Sequence, residues 1–145
     1  MKKVHWIIGI IVIIIDQLIK IIVIDKNFTI IPNFLEITYT QNSGAAFGIG
    51  ERKIVLVLSI LIILAIIGII LYLVKNNKQI NYMPFIFILS GSIANLIDRI
   101  FRGYVIDYID VNLYNFPNFN IADIVIVIGI IYFVINILFY QIKKK

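Results

Sequence analysis

The sequence contains no cysteine, a single histidine and few charged residues. Without cysteine it offers no disulfide, thiol nucleophile or thiolate metal site. The one histidine, His5, lies beside Lys2 and Lys3, so no histidine accompanies the polar residues further along, and Ser-His or Cys-His catalysis is excluded. A zinc site would have to be built from carboxylates, although zinc prefers nitrogen and sulfur ligands. Any catalysis must therefore rest on Asp, Asn, Arg, Ser or Lys.

Charge is scarce because most of the chain is apolar. Hydrophobic residues make up 61% of the 145 residues and charged residues 14%, whereas a soluble domain has roughly 45–50% and 25%. Four apolar runs, at about 4–24, 54–74, 83–101 and 121–142, approach the ~20 residues that a helix needs to cross the hydrocarbon core. The first run lacks a small-residue cleavage site, so we interpret it as a retained span. We predict an α-helical integral membrane protein, a single domain over 1–145 with outer loops at 25–53 and 102–120.

The distribution of lysine predicts the orientation of the chain. Lysines gather near both ends and in the loop at 75–80, which favours a cytoplasmic location for these segments. The acidic residues then lie in the outer half of the membrane or outside it. The net charge of +5 is explained by lysines that face anionic lipid, and we infer no nucleic-acid role from it. Glycines inside the runs, Gly9, Gly68 and Gly129, predict close helix contacts.

Polar side chains share a face on three of the four predicted helices. Their spacing of three or four residues places each group on one side of its helix, and all three groups fall near the outer border. Ionisable residues in hydrocarbon cost about 3 kcal/mol each and are functional-site hypotheses by default. Lys20 is expected to extend towards the outer headgroups. The groups are Asp16 with Lys20, then Asn95, Asp98 and Arg99, and then Asn120 with Asp123.

The outer loops predict a small β-sheet. Residues 35–40 and 103–110 alternate apolar and polar side chains, which is typical of half-buried strands. The segment 41–48 is rich in small residues; it predicts either a turn with a short surface helix or a place where a substrate approaches the backbone. Asn120 is expected near the N-cap of the last helix. Asp107 and Asp123 can thus meet at the outer rim, where two close carboxylates would share a proton; for each, a structural hydrogen bond is the alternative.

Five blocks of polar and small residues follow one another across the four spans: Asp16-Gln17-Leu18-Ile19-Lys20, Asn42-Ser43-Gly44-Ala45-Ala46-Phe47, Asn95-Leu96-Ile97-Asp98-Arg99, Gly103-Tyr104-Val105-Ile106-Asp107-Tyr108 and Phe119-Asn120-Ile121-Ala122-Asp123. In this order the blocks resemble lipoprotein signal peptidase (signal peptidase II). The resemblance covers essentially the whole chain and implies a bacterial inner-membrane aspartic endopeptidase. Such an enzyme cuts signal peptides from prolipoproteins just before a diacylglyceryl-modified cysteine.

The resemblance also implies roles for individual residues. Asp107 and Asp123 would be the catalytic pair and would activate water by general acid–base catalysis. The resemblance implies no cofactor or metal. We expect a monomer that binds lipidated prolipoproteins as substrates and contacts membrane lipids. Substrate contacts would fall on Asn42, Gly44, Asn95, Arg99 and Asn120, with Asp16, Lys20, Asp98 and Ala122 in support.

Several alternatives stay open at this stage. Asp98 is a rival for the catalytic pair, although the adjacent Arg99 favours a paired structural carboxylate, and Asp110 is a weaker rival. A small proton-coupled transporter could also use intramembrane acids, and an assembly factor could use the sheet as a docking edge. The chain departs from the family pattern at Gln41, at Tyr108 and in the approach to Asn95, residues 91–94.

Overall fold

The computed structural model describes residues 3–44, 51–76, 81–113 and 116–143, with side chains as far as 138. Within these residues the chain forms four helices, α1 (Lys3–Ile22), α2 (Arg52–Lys75), α3 (Met83–Phe101) and α4 (Ile121–Lys143). All four are long and apolar enough to cross a membrane. Helix α1 ends two residues earlier than its apolar run predicts, because the chain turns through Asp25 with a positive φ of 57°. The predicted four-helix membrane fold is confirmed.

Helix α3 occupies the centre of the bundle and packs against the other three helices. It is the least apolar of the four, with a mean hydropathy of 1.4 against 3.6 for α2. Half of its apolar stretch is buried inside the protein, so its polar residues face neighbouring helices rather than lipid. This position explains why α3 can carry Asn95, Asp98 and Arg99.

Glycine lets α3 approach α4 closely. A Cβ on Gly91 would lie 2.5 Å from the carbonyl oxygen of Ala122, and one on Gly129 would lie 2.9 Å from a backbone oxygen of α3. Gly9 of α1 also contacts α3. The prediction of close packing is therefore confirmed for Gly9 and Gly129. It is wrong for Gly68, because a Cβ there would meet no atom of the described residues within 4 Å.

A three-stranded antiparallel sheet covers one end of the bundle, which we call the sheet end. Its strands are β1 (Asn27–Ile31), β2 (Leu35–Asn42) and β3 (Val105–Val111), in the order β1-β2-β3. The sequence predicted β2 and β3 but missed β1, which joins β2 through a hairpin in which Asn33 has a positive φ. Strand β3 begins later than predicted, because Gly103, with φ +82°, ends helix α3.

The sheet is held to the bundle by a buried apolar cluster. Val23, Ile106 and Tyr108 are almost completely buried and pack with side chains from α1, β2 and α4. In the register of β2 with β3, Thr40 lies opposite Asp107 and Asn42 lies opposite Val105. The end of β2 is therefore fixed beside Asp107, and Asp107 in turn contacts Asn120 at the beginning of α4.

Candidate active site

Two aspartates from different elements line one cavity at the sheet end. Asp107 lies on β3 and is 3% exposed, and Asp123 lies in the first turn of α4. Both carboxylates border a cavity of about 280 Å³. The other lining residues are Asn42, Asn95, Arg99, Val105, Pro117, Asn118, Phe119, Ile126 and Val127.

The beginning of α4 positions Asp123 through a reciprocal cap. The backbone N–H of Asp123 donates to Asn120 Oδ1 at 3.0 Å, and the backbone N–H of Asn120 donates to Asp123 Oδ2 at 3.1 Å. Asn120 is thus the N-cap, as predicted, and Asp123 occupies the third helical position, which is the geometry of a capping box. The positive end of the helix dipole lies at this turn and suits a negative charge there.

Two asparagine amides donate to Asp107. Asn42 Nδ2 lies 2.9 Å from one carboxylate oxygen and Asn120 Nδ2 lies 2.7 Å from the other. Both amides have a fixed orientation, because the oxygen of each accepts a backbone N–H. The Asn42 oxygen accepts from Gly44 at 3.1 Å, and the Asn120 oxygen accepts from Asp123 at 3.0 Å. An amide whose oxygen is held by a donor must present its NH₂ group on the other side. The neighbours of Asp107 are therefore arranged as donors to its carboxylate.

A third amide, that of Asn95, donates to Asp123 in the same manner. Its Nδ2 lies 2.7 Å from Asp123 Oδ1, and its Oδ1 accepts a bond from Lys20 Nζ at 2.8 Å. Each aspartate of the pair thus receives an asparagine NH₂ group. In addition, Asn120 connects the two aspartates directly, since it contacts both.

Behind the cavity lies a buried cluster of ion pairs. Lys20 Nζ lies 2.9 Å from a carboxylate oxygen of Asp16 and 2.9 Å from one of Asp98, and all three side chains are fully buried. Arg102 completes the cluster through an ion pair with Asp98. The prediction that Lys20 extends to the headgroups is wrong, because two buried carboxylates hold its ammonium inside the bundle.

The acids of this cluster also have structural partners. Asp16 accepts the backbone N–H of Ala122, in the first turn of α4, at 2.9 Å. Asp98 accepts the backbone N–H of Ile106 at 3.2 Å and the amide of Gln17 at 3.1 Å. These bonds connect α1 to α4 and α3 to β3. The cluster therefore fixes the elements that carry the two cavity aspartates.

Burial raises the pKa of Asp107 from its ordinary value of 3.8 to about 6. Burial is the largest cause, because a buried carboxylate loses its hydration. Asp123 adds to the increase by charge repulsion, whereas the bonds from Asn42 and Asn120 oppose it. A carboxyl group with a pKa near the working pH is suited to proton transfer.

Arg99 provides hydrogen-bond donors beside the aspartates. Its guanidinium donates to the carbonyl oxygens of Asn95 and Gly44 at 3.4 Å each, which are long bonds. Its Nε is buried and has no hydrogen-bond partner among the described residues. A guanidinium with donors left over at a cavity wall is suited to binding a carbonyl oxygen of a peptide.

The structure brings together most of the residues that the sequence singled out. Asp110, by contrast, lies outside the cavity lining, opposite Glu36 in the sheet. Of the small-residue segment 41–48, only residues up to Gly44 are described, so the interpretation of residues 45–48 lies outside the described residues. In the described segments no three His, Cys, Asp or Glu side chains converge in a way that could hold a metal ion.

Sequence reasoning missed several residues of the site. Gln17 and Arg102 both bind Asp98, and Asn118 lines the cavity and donates to Thr40 Oγ1 at 2.8 Å. For Arg102 a signal was present, because it follows Asp98 by four residues and so shares its helix face. Asn118 lies in an irregular segment whose position only the tertiary structure defines.

Comparison with known proteins gives one consistent family. A family model described as signal peptidase (SPase) II matches residues 8–139. The lipoprotein signal peptidase of Fusobacterium nucleatum is 40% identical over 144 residues, covering 93% of this chain and 86% of its own length. That of Staphylococcus aureus strain RF122 is 37% identical over 150 residues, covering 95% of this chain and 90% of its own length. A solved structure described as a bacterial membrane enzyme superimposes with a TM-score of 0.83 at 34% identity, covering 98% of this chain and 92% of that chain.

Proposed function

The chain belongs to the signal peptidase II family, and we propose that it cleaves signal peptides from bacterial prolipoproteins with Asp107 and Asp123 as its catalytic pair. As a member of this family, it is a peptidase of the bacterial inner membrane. The observation that supports the pair best is the cavity that both aspartates line. Among the acids that the sequence offered, Asp16 and Asp98 are instead fully buried and paired with Lys20.

In the proposed mechanism, water attacks the scissile carbonyl while the pair transfers protons. Asp123 receives the backbone N–H of a helix N-terminus, which suits an ionised carboxylate, so we assign it as the base that takes a proton from water. Asp107, whose burial favours the neutral form, donates its proton to the carbonyl oxygen. When the C–N bond of the tetrahedral intermediate breaks, the leaving amine takes the proton held by Asp123 and Asp107 regains its own.

The cavity suits an extended segment at the end of an apolar helix. Val105, Phe119, Ile126 and Val127 supply apolar walls. Val127 is 52% exposed on the outer surface of α4, so the cavity borders a helix face that would contact lipid. A signal peptide could therefore approach sideways from the membrane, with the acyl chains of its modified cysteine remaining in lipid.

Arg99 and the asparagines are proposed to act on the substrate in different ways. Arg99 has the weakest internal bonds and is the best candidate for holding a substrate carbonyl oxygen. The amide nitrogens of Asn42, Asn95 and Asn120 contact the aspartates in this structure. Their contact with substrate, like that of Gly44, stays a prediction.

The distribution of lysine supports a topology with both termini in the cytoplasm and the sheet end at the outer face. With this topology, water reaches the aspartates without crossing the bilayer core. The transporter alternative finds no support, since the relatives are lipoprotein signal peptidases.

The test is cleavage of a diacylated prolipoprotein by purified protein. Asp107→Asn and Asp123→Asn should each lower kcat by at least about 100-fold, the minimum for losing a general acid or base. Asp110→Asn is the matched control, because Asp110 lies on the same strand outside the cavity, and it should retain activity. Mass spectrometry of the products should place the cut immediately before the lipidated cysteine.

Two results would contradict the proposal. Wild-type protein that leaves the diacylated substrate uncut would remove the substrate assignment. Full activity of a folded Asp107→Asn or Asp123→Asn variant would remove the catalytic pair, and Asp98→Asn, assayed in parallel, would then show whether the rival acid acts instead.

A further inference from the structure

The ammonium group of Lys20 uses all of its donors inside the protein. It is fully buried, and its three N–H groups match three partners, Asp16 at 2.9 Å, Asp98 at 2.9 Å and Asn95 Oδ1 at 2.8 Å. An ammonium has three donors and no acceptor. The two carboxylates account for its charge. The third bond goes to a neutral amide, which charge balance does not require.

This third bond determines how the Asn95 amide is oriented. Because lysine only donates, the amide atom that faces Lys20 must be the oxygen. The nitrogen then faces Asp123, at 2.7 Å from Oδ1. Asn120 Nδ2 also donates to the Asn95 oxygen, but at 3.2 Å, and it contacts Asp107 more closely at 2.7 Å. Lys20 is therefore the principal partner that holds the Asn95 oxygen.

We propose that Lys20 is a positioning residue for cleavage, which fixes Asn95 so that its amide donates to Asp123. This inference rests on the proposed catalytic role of Asp123. Without Lys20, the Asn95 oxygen keeps only the longer bond from Asn120, so the amide is held less firmly and its NH₂ group can turn away from the carboxylate. The other two amides beside the pair are held by backbone N–H groups, so only Asn95 depends on a side chain in this way.

A test must separate this role from charge balance in the buried cluster. Two acids, Asp16 and Asp98, face two cations, Lys20 and Arg102. Replacing Lys20 alone would leave an unpaired buried acid and could prevent folding. In the double variant K20M/D16N, one charge of each sign is removed and Asp98 keeps Arg102. An asparagine at position 16 still offers an oxygen to the Ala122 N–H that Asp16 binds.

The comparison is therefore between D16N, which keeps Lys20, and K20M/D16N, which does not. Losing a donor to a carboxylate should lower kcat roughly 10- to 100-fold. KM should change by no more than about twofold, because Lys20 does not line the cavity. Lys26→Met, at an exposed lysine, is the matched control and should leave both constants unchanged. Equal kcat in D16N and in folded K20M/D16N would overturn the proposal.

A double-mutant cycle gives the sharper measurement. If Lys20 acts through Asn95, then adding K20M to the D16N/N95A variant should cost no further activity. An additive loss would show that Lys20 acts by another route and would overturn the proposal.

A spectroscopic signal tests the orientation without relying on cleavage. In protein labelled with ¹⁵N-asparagine, the Asn95 side-chain resonance, identified by its absence in Asn95→Ala, should shift between D16N and K20M/D16N. It should stay in place in Lys26→Met. An unchanged resonance would overturn the proposal about Lys20, whether or not the wild-type protein cuts the diacylated substrate. A wild-type protein that fails to cut this substrate counts against the proposed function alone.

Discussion

Replacing Asp107 by asparagine should make the protein more stable at neutral pH while it abolishes cleavage. The pKa of Asp107 is about 6 in the folded protein against an ordinary value of 3.8. The folded protein therefore binds this proton more tightly than the unfolded chain, and the free energy of unfolding falls as pH rises from about 4 to 6. Above pH 7 the full cost of ionising Asp107 in the folded protein is present, and it lowers the free energy of unfolding by about 3 kcal/mol for a pKa difference of roughly two.

Asparagine removes this cost because it carries no charge at any pH. The amides of Asn42 and Asn120 both donate to Asp107. An asparagine at position 107 would turn its own NH₂ group towards one of these two donors, which costs about 1 kcal/mol. The net gain at pH 7.5 should be about 2 kcal/mol. This corresponds to a rise in Tm of several degrees for a chain of this size.

The assay is thermal unfolding in detergent micelles at pH 4.5 and pH 7.5. Asp107→Asn should melt above wild type at pH 7.5, and the advantage should disappear at pH 4.5, where folded Asp107 is already protonated. Asp110→Asn, on the same strand, controls for the loss of one negative charge from β3. A Tm difference that is the same at both pH values, or a less stable Asp107→Asn protein at pH 7.5, would refute the reasoning.

Two further substitutions test how the bundle is held together. Gly91→Ala should lower Tm, at a cost of about 1–3 kcal/mol, because the added Cβ would lie 2.5 Å from the Ala122 carbonyl oxygen; Gly68→Ala, in open surroundings, should not lower it. Lys20→Met alone should cost about 3–5 kcal/mol, because it leaves buried carboxylates with too few cations, and should reduce the yield of folded protein in size-exclusion chromatography. Lys26→Met should express as wild type does, and a fully folded Lys20→Met would mean that the buried ion pairs are dispensable.

The lengths of the apolar runs alone predicted the four helices, because the thickness of hydrocarbon that a helix must cross sets the length of its apolar run. The end of α1 and the beginning of β3 differ from the prediction because a backbone turn intervenes, at Asp25 and at Gly103 respectively. Strand β1 was missed because its segment is only five residues long and is fixed as a strand by pairing with β2.

The sequence by itself singled out most of the polar residues of the candidate site, since few side chains of this kind occur in so apolar a chain. It placed Asp16, Asn95, Asp98 and Asp123 near the same border by helical spacing. It could not determine partners, because a helix face shows where a side chain lies and not what it meets across the bundle.

Only the tertiary structure showed what surrounds each of these acids. The long-range bonds of Lys20 draw Asp16 and Asp98 into a buried cluster, while the pairing of β2 with β3 and the cap of α4 direct Asp107 and Asp123 into a cavity. We propose that the same carboxyl group is a structural ion in one place and a proton carrier in the other. Burial and neighbouring charges make that difference, and both are properties of the folded chain.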